Sequence, residues 1–209
     1  MYKWIIFDVD GTLIETSFSN MIGLKITMKK KYNKEYSEDE LRKYMGIPGD
    51  DALRNLGVKE DEITSAWNFW EDNVRKNAHK NYIFKGVKEM LEELKNKYSL
   101  AIVTSKTHKQ LKDDFIDKGL SEYFKLWICK EDTTCHKPNP EPLLKALEKS
   151  NAKVEEAIYI GDASVDYKAA TAINMSFAQF RFMDKYEEID CPLIFKNSKD
   201  VLTYFNISK

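Results

Sequence analysis

Short runs of β-branched and aromatic residues alternate with longer stretches in which apolar positions recur every three or four residues. The first run, Trp4-Ile5-Ile6-Phe7, is apolar on both faces, which predicts a central strand covered on both sides. It ends at Asp8-Val9-Asp10-Gly11-Thr12, where Gly11 marks a sharp change of direction. Similar runs at 100–103, 126–128, 157–160, 176–180 and 193–195 predict five more strands. Helical patterns at 87–94, 109–118, 142–150, 167–173 and from 199 onward separate them. Strands alternating with helices predict a parallel sheet with helices on both faces.

Residues 16–82 break that alternation. A helix is predicted over 19–32 and a second near Ser37, where Ser37-Glu38-Asp39-Glu40 has the form of a capping box. Gly46-Ile47-Pro48-Gly49 interrupts the pattern, a short helix follows over 51–56, and a longer one over 60–76. Ile63, Trp67, Trp70 and Val74 share one face of the last, which reads as helical core rather than a cofactor box. The expected organisation is an α/β core of residues 1–15 and 83–209, with an all-helical insertion of residues 16–82.

A chain of 209 residues can build one full domain, or one core with a small insertion. Its net charge of -1 gives no general field for nucleic acid or an anionic membrane, so any phosphate site must be local. The first apolar run is too short for a signal peptide or a spanning helix, and acids follow at once. No later stretch is long and apolar enough to cross a bilayer, so no membrane partner and a cytoplasmic location are expected. The three cysteines, Cys129, Cys135 and Cys191, form no CxxC pair. Reduced thiols are expected, and Cys135-His136 lacks the second pair that a zinc site needs.

The candidate chemistry collects at one edge of the predicted sheet. Asp8, Asp10 and Asp162 fall just past strand ends, Asp166 follows Asp162 by one helical turn, and Thr104-Ser105 follow the strand at 100–103. Open parallel sheets bind ligands at that edge. Clustered acids repel one another unless a cation is present, and oxygen donors without His or Cys favour magnesium. Asp8 and Asp10, two residues apart, share a face. One carboxylate can attack phosphorus while the other protonates the leaving oxygen. Magnesium and a lysine must then neutralise the phosphoryl charge. Lys137 lies in His136-Lys137-Pro138-Asn139-Pro140-Glu141-Pro142, whose prolines stiffen the loop. His108 and His136 read as solvent-facing or loop-supporting.

The four segments resemble the motifs of the haloacid dehalogenase superfamily in order and spacing: Asp8-Val9-Asp10-Gly11-Thr12, Thr104, Lys137 in its proline-rich loop, and Gly161-Asp162 with Asp166. The whole chain is similar to the phosphoglycolate phosphatase-like group, whose Rossmann-like core carries a helical cap after the first motif. The resemblance implies Asp8 as nucleophile and magnesium ligand, and Asp10 as general acid and base with its carbonyl on the metal. It implies Thr104 and the Ser105 backbone on the phosphoryl group, and Lys137 on Asp8 and the phosphoryl oxygens. Asp162 would bind magnesium directly, and Asp166 directly or through water. The implied partner is a small phosphorylated metabolite, with a monomer or homodimer as the acting species. The cap would close over the site and choose the substrate through its loop at 44–48, beside which Arg42 and Lys43 either add charge or simply form a solvated helix face. A sugar phosphomutase, a pyrophosphatase and a nucleotidase share these motifs. Asp10 argues against a dehalogenase. Asp8, Asp10, Lys137 and Asp162 together argue against an inactive binding module. Glu15, Lys85 and Asn174 depart from the group's usual Asp, Pro and Gly, and Asn174 can keep the left-handed turn that a glycine would make.

Overall fold

The computed structural model describes residues 1–44, 48–182 and 188–207, apart from the side chains at 114, 116 and 117. In chain order the elements are β1 (Trp4–Phe7), β2 (Ile14–Glu15), α1 (Ser17–Tyr32), α2 (Glu38–Arg42), α3 (Gly49–Asn55), α4 (Ile63–Asn77) and β3 (Tyr82–Ile83). They continue with α5 (Val87–Lys95), β4 (Ser99–Val103), α6 (His108–Lys118), β5 (Leu126–Ile128), α7 (Glu141–Ser150), β6 (Ala157–Gly161), α8 (Ser164–Thr171), β7 (Ser176–Phe180), β8 (Ile194–Phe195) and α9 (Ser198–Tyr204). The chain divides into two compact units, Met1–Leu13 with Ile83–Lys209, and Ile14–Tyr82.

The first unit is built on a six-stranded sheet of order β5-β4-β1-β6-β7-β8, with parallel neighbours throughout. β1 lies between β4 and β6, where Phe7 stands opposite Ile102 on one side and Ile160 on the other. Ile5, Ile6 and Phe7 are all buried, as a strand covered on both faces requires. One face packs Ile6, Val103 and Tyr159 against Leu143 and Ala146 of α7 and Ala169 and Ala170 of α8. The chain moves outward from β1 to β4 and β5, then returns to β6 on the opposite side. That reversal opens a crevice at the carboxyl ends of β1, β4 and β6.

Helix α8 starts at Ser164, three residues before the predicted helix. The Ala163 amide donates to the Asp166 carboxylate at 3.0 Å, so Asp166 fastens the first turn from inside the helix. A serine or threonine before the helix, the usual start signal, is missing there. Asn174 adopts a φ of 54°, the left-handed conformation its side chain tolerates.

The second unit is helical. Its core gathers Met21, Leu24, Met28, Leu41, Leu53, Ile63 and Trp70, with Trp67 and Val74 packed against it. Trp70 satisfies its indole N–H on the Asn20 carbonyl at 2.9 Å, so the aromatic stripe is core. The capping box at α2 is complete: Glu40 N–H donates to Ser37 Oγ at 3.3 Å and Ser37 N–H to Glu40 Oε2 at 2.7 Å. The predicted helix over 60–76 opens with a 3-10 turn, and its α-helical part begins at Ile63. β2 and β3 pair as a two-stranded ribbon that two-residue strands are too short to announce by periodicity. Among the described residues no helix is long and apolar enough to cross a membrane.

Candidate active site

Asp8 continues the ladder of β1, its amide donating to the Ile160 carbonyl at 2.9 Å. The chain then folds back, with the amides of Thr12 and Leu13 both donating to the Val9 carbonyl at 3.3 and 2.9 Å. Gly11, at φ +79°, sits against Asp162, and a Cβ there would overlap the carboxylate. Thr12 Oγ1 donates to Asp162 Oδ1 at 2.9 Å, and Gln179 Nε2 donates to the Asp162 carbonyl at 3.1 Å. The turn after β1 and the end of β6 are thus tied together through Asp162.

Lys137 enters the same site from the loop before α7. Glu141 holds that loop by accepting the amides of Thr134 and Cys135 at 2.9 and 2.7 Å, which keeps its carboxyl below the usual range. The Asn139 side chain accepts the Glu141 amide at 2.9 Å. So anchored, Lys137 is 4% exposed, and its Nζ lies 3.0 Å from Asp8 Oδ1, 2.6 Å from Asp166 Oδ1 and 2.9 Å from the Tyr159 hydroxyl. Asp166 folds back over Gly161, where a Cβ would lie 2.6 Å from the carboxylate carbon. Asp10 pairs with Lys106 Nζ at 2.9 Å. At the end of β4, Thr104 is buried, with its amide on the Ile128 carbonyl at 3.0 Å, and Ser105 is exposed.

Oxygens of Asp8, Asp162 and Asp166 all lie within 4.8 Å of one another. Burial pushes Asp8 up to about 7; Lys137 opposes this, while Asp166 and Asp10 add to it. Burial, then Asp166 and Asp8, hold Asp162 well above the carboxylate range against Thr12 and Lys137. Burial alone would lower Lys137, but Asp166 and Asp8 more than offset it and raise it. Among the described residues Lys137 pairs with Asp8 and Asp166, and Lys106 with Asp10; the raised carboxyls of Asp8 and Asp162 are the ones a bound cation would let ionise. Clustered carboxylate oxygens with no histidine or cysteine among them fit a hard divalent cation. Asp8 and Asp162 are the side chains best placed to hold one. Asp166 lies in reach, but its oxygens already accept from Lys137 and Ala163, and the Tyr159 hydroxyl lies 2.9 Å from Oδ1.

A second cluster, His108, Cys129 and Asp132, lies where α6 begins and in the segment after β5. His108 Nε2 pairs with Asp132 at 2.8 Å, and Asp132 accepts the Cys129 amide at 2.8 Å, so this histidine ties the start of α6 to the loop after β5. The sequence reading did not single out Thr12, Lys106 or Tyr159. Lys106 had a signal in its place, two residues past Thr104 at the chemically active edge. Tyr159 had one in being a hydroxyl within an aliphatic strand.

The model of the haloacid dehalogenase-like hydrolase family matches residues 5–180. The chain belongs to that family. A relative named pyrophosphatase PpaX, from Oceanobacillus iheyensis, is 31% identical over 209 residues, covering 96% of this chain and 95% of the relative. Another pyrophosphatase PpaX, from Halalkalibacterium halodurans, is 32% identical, covering 78% of this chain and 75% of the relative. A crystal structure of a candidate phosphoglycolate phosphatase from Lactobacillus plantarum superposes with a TM-score of 0.89 at 25% identity, covering 97% of this chain and 99% of that one.

Proposed function

We propose that the protein is a magnesium-dependent phosphatase that works through an aspartyl phosphate on Asp8. The observation that carries this reading is the buried Lys137 ammonium, held between Asp8 at the end of β1 and Asp166 beside Asp162. Magnesium, held by Asp8, Asp162 and the Asp10 carbonyl with Asp166 in reach, would supply positive charge to the phosphoryl oxygens. Asp8 attacks phosphorus, the bond to the leaving oxygen breaks, and Asp10 gives that oxygen a proton. Asp10 then takes a proton from water, whose oxygen attacks the phosphoryl group and restores Asp8. Lys137 and Thr104, with the Ser105 amide, bind the transferred group.

The pair of Lys106 with Asp10 bears on the substrate. Asp10 serves the leaving oxygen, so an ammonium 2.9 Å from it favours a leaving group with negative charge of its own. Inorganic pyrophosphate and phosphoglycolate both have one, in keeping with the names of the relatives. The helical insertion acts as the cap that selects the leaving group, a role supported by its position directly after the first motif. Of the loop expected to do so, residues 45–47 lie outside the described residues. The test is a panel of phosphate esters and pyrophosphate, with and without magnesium, on wild type and Asp8→Asn. Phosphate release that needs magnesium and vanishes in the variant supports the reading. A phosphosugar isomer without phosphate release makes the protein a mutase, and equal activity in Asp8→Asn removes the covalent mechanism.

A further inference from the structure

Tyr159 is fully buried on β6, three residues before Asp162. Strand alternation puts it on the same face as Gly161, the residue over which Asp166 folds. Its hydroxyl lies 2.9 Å from Lys137 Nζ, 2.9 Å from Asp166 Oδ1 and 3.1 Å from the Val103 carbonyl. A hydroxyl has one proton, and an ammonium has donors only. Tyr159 therefore accepts from Lys137 and gives its own proton to Asp166 or to the Val103 carbonyl. The latter belongs to β4 and ties the hydroxyl to the rigid sheet.

Seen from Lys137, the count closes. An ammonium has three protons, and Asp8, Asp166 and Tyr159 supply three acceptors at 3.0, 2.6 and 2.9 Å. Two acceptors leave the nitrogen free to swing about the line between them. A third fixes it. A buried ammonium proton without a partner is costly, so removing the third acceptor pulls the lysine off its position. We infer that Tyr159 is a positioning residue of the reaction, the neutral anchor that sets Lys137 against Asp8. This rests on the phosphatase reading, in which Lys137 touches the transferred group. The ring has a separate role, packing edge-on to Phe177 with centroids 6.2 Å apart.

Tyr159→Phe removes the hydroxyl and keeps the ring. Its kcat is expected to fall about 10- to 100-fold, by one common factor for every substrate, with KM changing less than about threefold. The second readout is independent of turnover: the proton-exchange rate of the Lys137 ammonium in metal-free protein, followed by nitrogen–proton NMR and assigned by its absence in Lys137→Met. Exchange should quicken at least about tenfold in Tyr159→Phe, as an anchored ammonium loses a partner. Phe177→Leu is the packing control, lowering the melting temperature with lysine exchange and kcat near wild type. Tyr159→Met serves if Tyr159→Phe does not fold. Wild-type kcat, wild-type exchange, or the same changes in Phe177→Leu would each overturn the assignment. A wild-type protein that releases phosphate from nothing would instead sink the phosphatase reading, while lysine exchange would still decide whether Tyr159 holds Lys137.

Discussion

Replacing Asp8 by asparagine is expected to stop turnover and, in metal-free protein, to raise stability. Asp8 is held at about 7 in the fold against an ordinary 3.8, chiefly by burial. Between those values the folded protein keeps a proton that the unfolded chain has lost. Stability therefore falls as pH rises through that window. A gap of about three pH units at about 1.36 kcal/mol each sets a ceiling of ~4 kcal/mol at pH 8. At pH 5 most of the window lies above the working pH, and the ceiling drops to under about 2 kcal/mol. Asparagine is neutral at both, so the variant should gain most at pH 8. For a chain of 209 residues ~4 kcal/mol corresponds to roughly 10 °C in melting temperature. The assay is thermal melting in chelator at pH 8 and pH 5. With excess magnesium the order should reverse, because the wild type keeps the ligand that the variant lacks. A variant that melts at or below wild type in chelator at pH 8, or whose gain is as large at pH 5, would refute the electrostatic account of this site.

Three further outcomes follow from the same geometry. Exhaustive chelation should abolish phosphate release and magnesium should restore it, with calcium inhibiting because its looser coordination lets Asp8 bind through both oxygens; full activity after chelation is the contrary result. Lys106→Met should lower kcat/KM for pyrophosphate about 10- to 100-fold more than for p-nitrophenyl phosphate, measured side by side, and an equal fall for both would show that Lys106 does not serve the leaving group. Thr12→Val removes the hydroxyl that orients Asp162 and should weaken magnesium binding about 10-fold by calorimetry; unchanged affinity would show that Asp162 needs no such support.

The sheet was legible because its strands are short apolar runs and its edge residues are acids and hydroxyls at the ends of those runs. Asp8 and Asp162 could be placed together from strand ends alone, since a parallel sheet brings all its carboxyl ends to one edge, and Asp166 follows because it stands one helical turn past Asp162. The ribbon of β2 and β3 was not legible, because two residues carry no period. The early start of α8 was hidden for a different reason. Its fastening group is Asp166, a residue the sequence offers equally well as a ligand, and only coordinates show that one carboxylate is committed to the helix, the lysine and the tyrosine at once.

The partners of the site were harder to see than its acids, and the cause is physical. An acid past a strand end can cap the next helix, but several converging at one sheet edge point to a cation or a catalytic proton. A lysine past a strand end is usually a solvated surface residue, and a tyrosine within a strand is usually core. Lys106 and Tyr159 depart from those habits through distances of 2.9 Å to Asp10 and to Lys137. No spacing along the chain encodes either distance, because each joins elements from different strands. Charge still points to the lysine. Four carboxylates at one sheet edge demand cations, and the one lysine picked out by its proline-rich loop could not balance them. Counting charge at a predicted site, and then searching the same edge for what must balance it, would have led to Lys106. Tyr159 lies beyond that reasoning, because the ammonium's third proton becomes a question only once its first two acceptors are known.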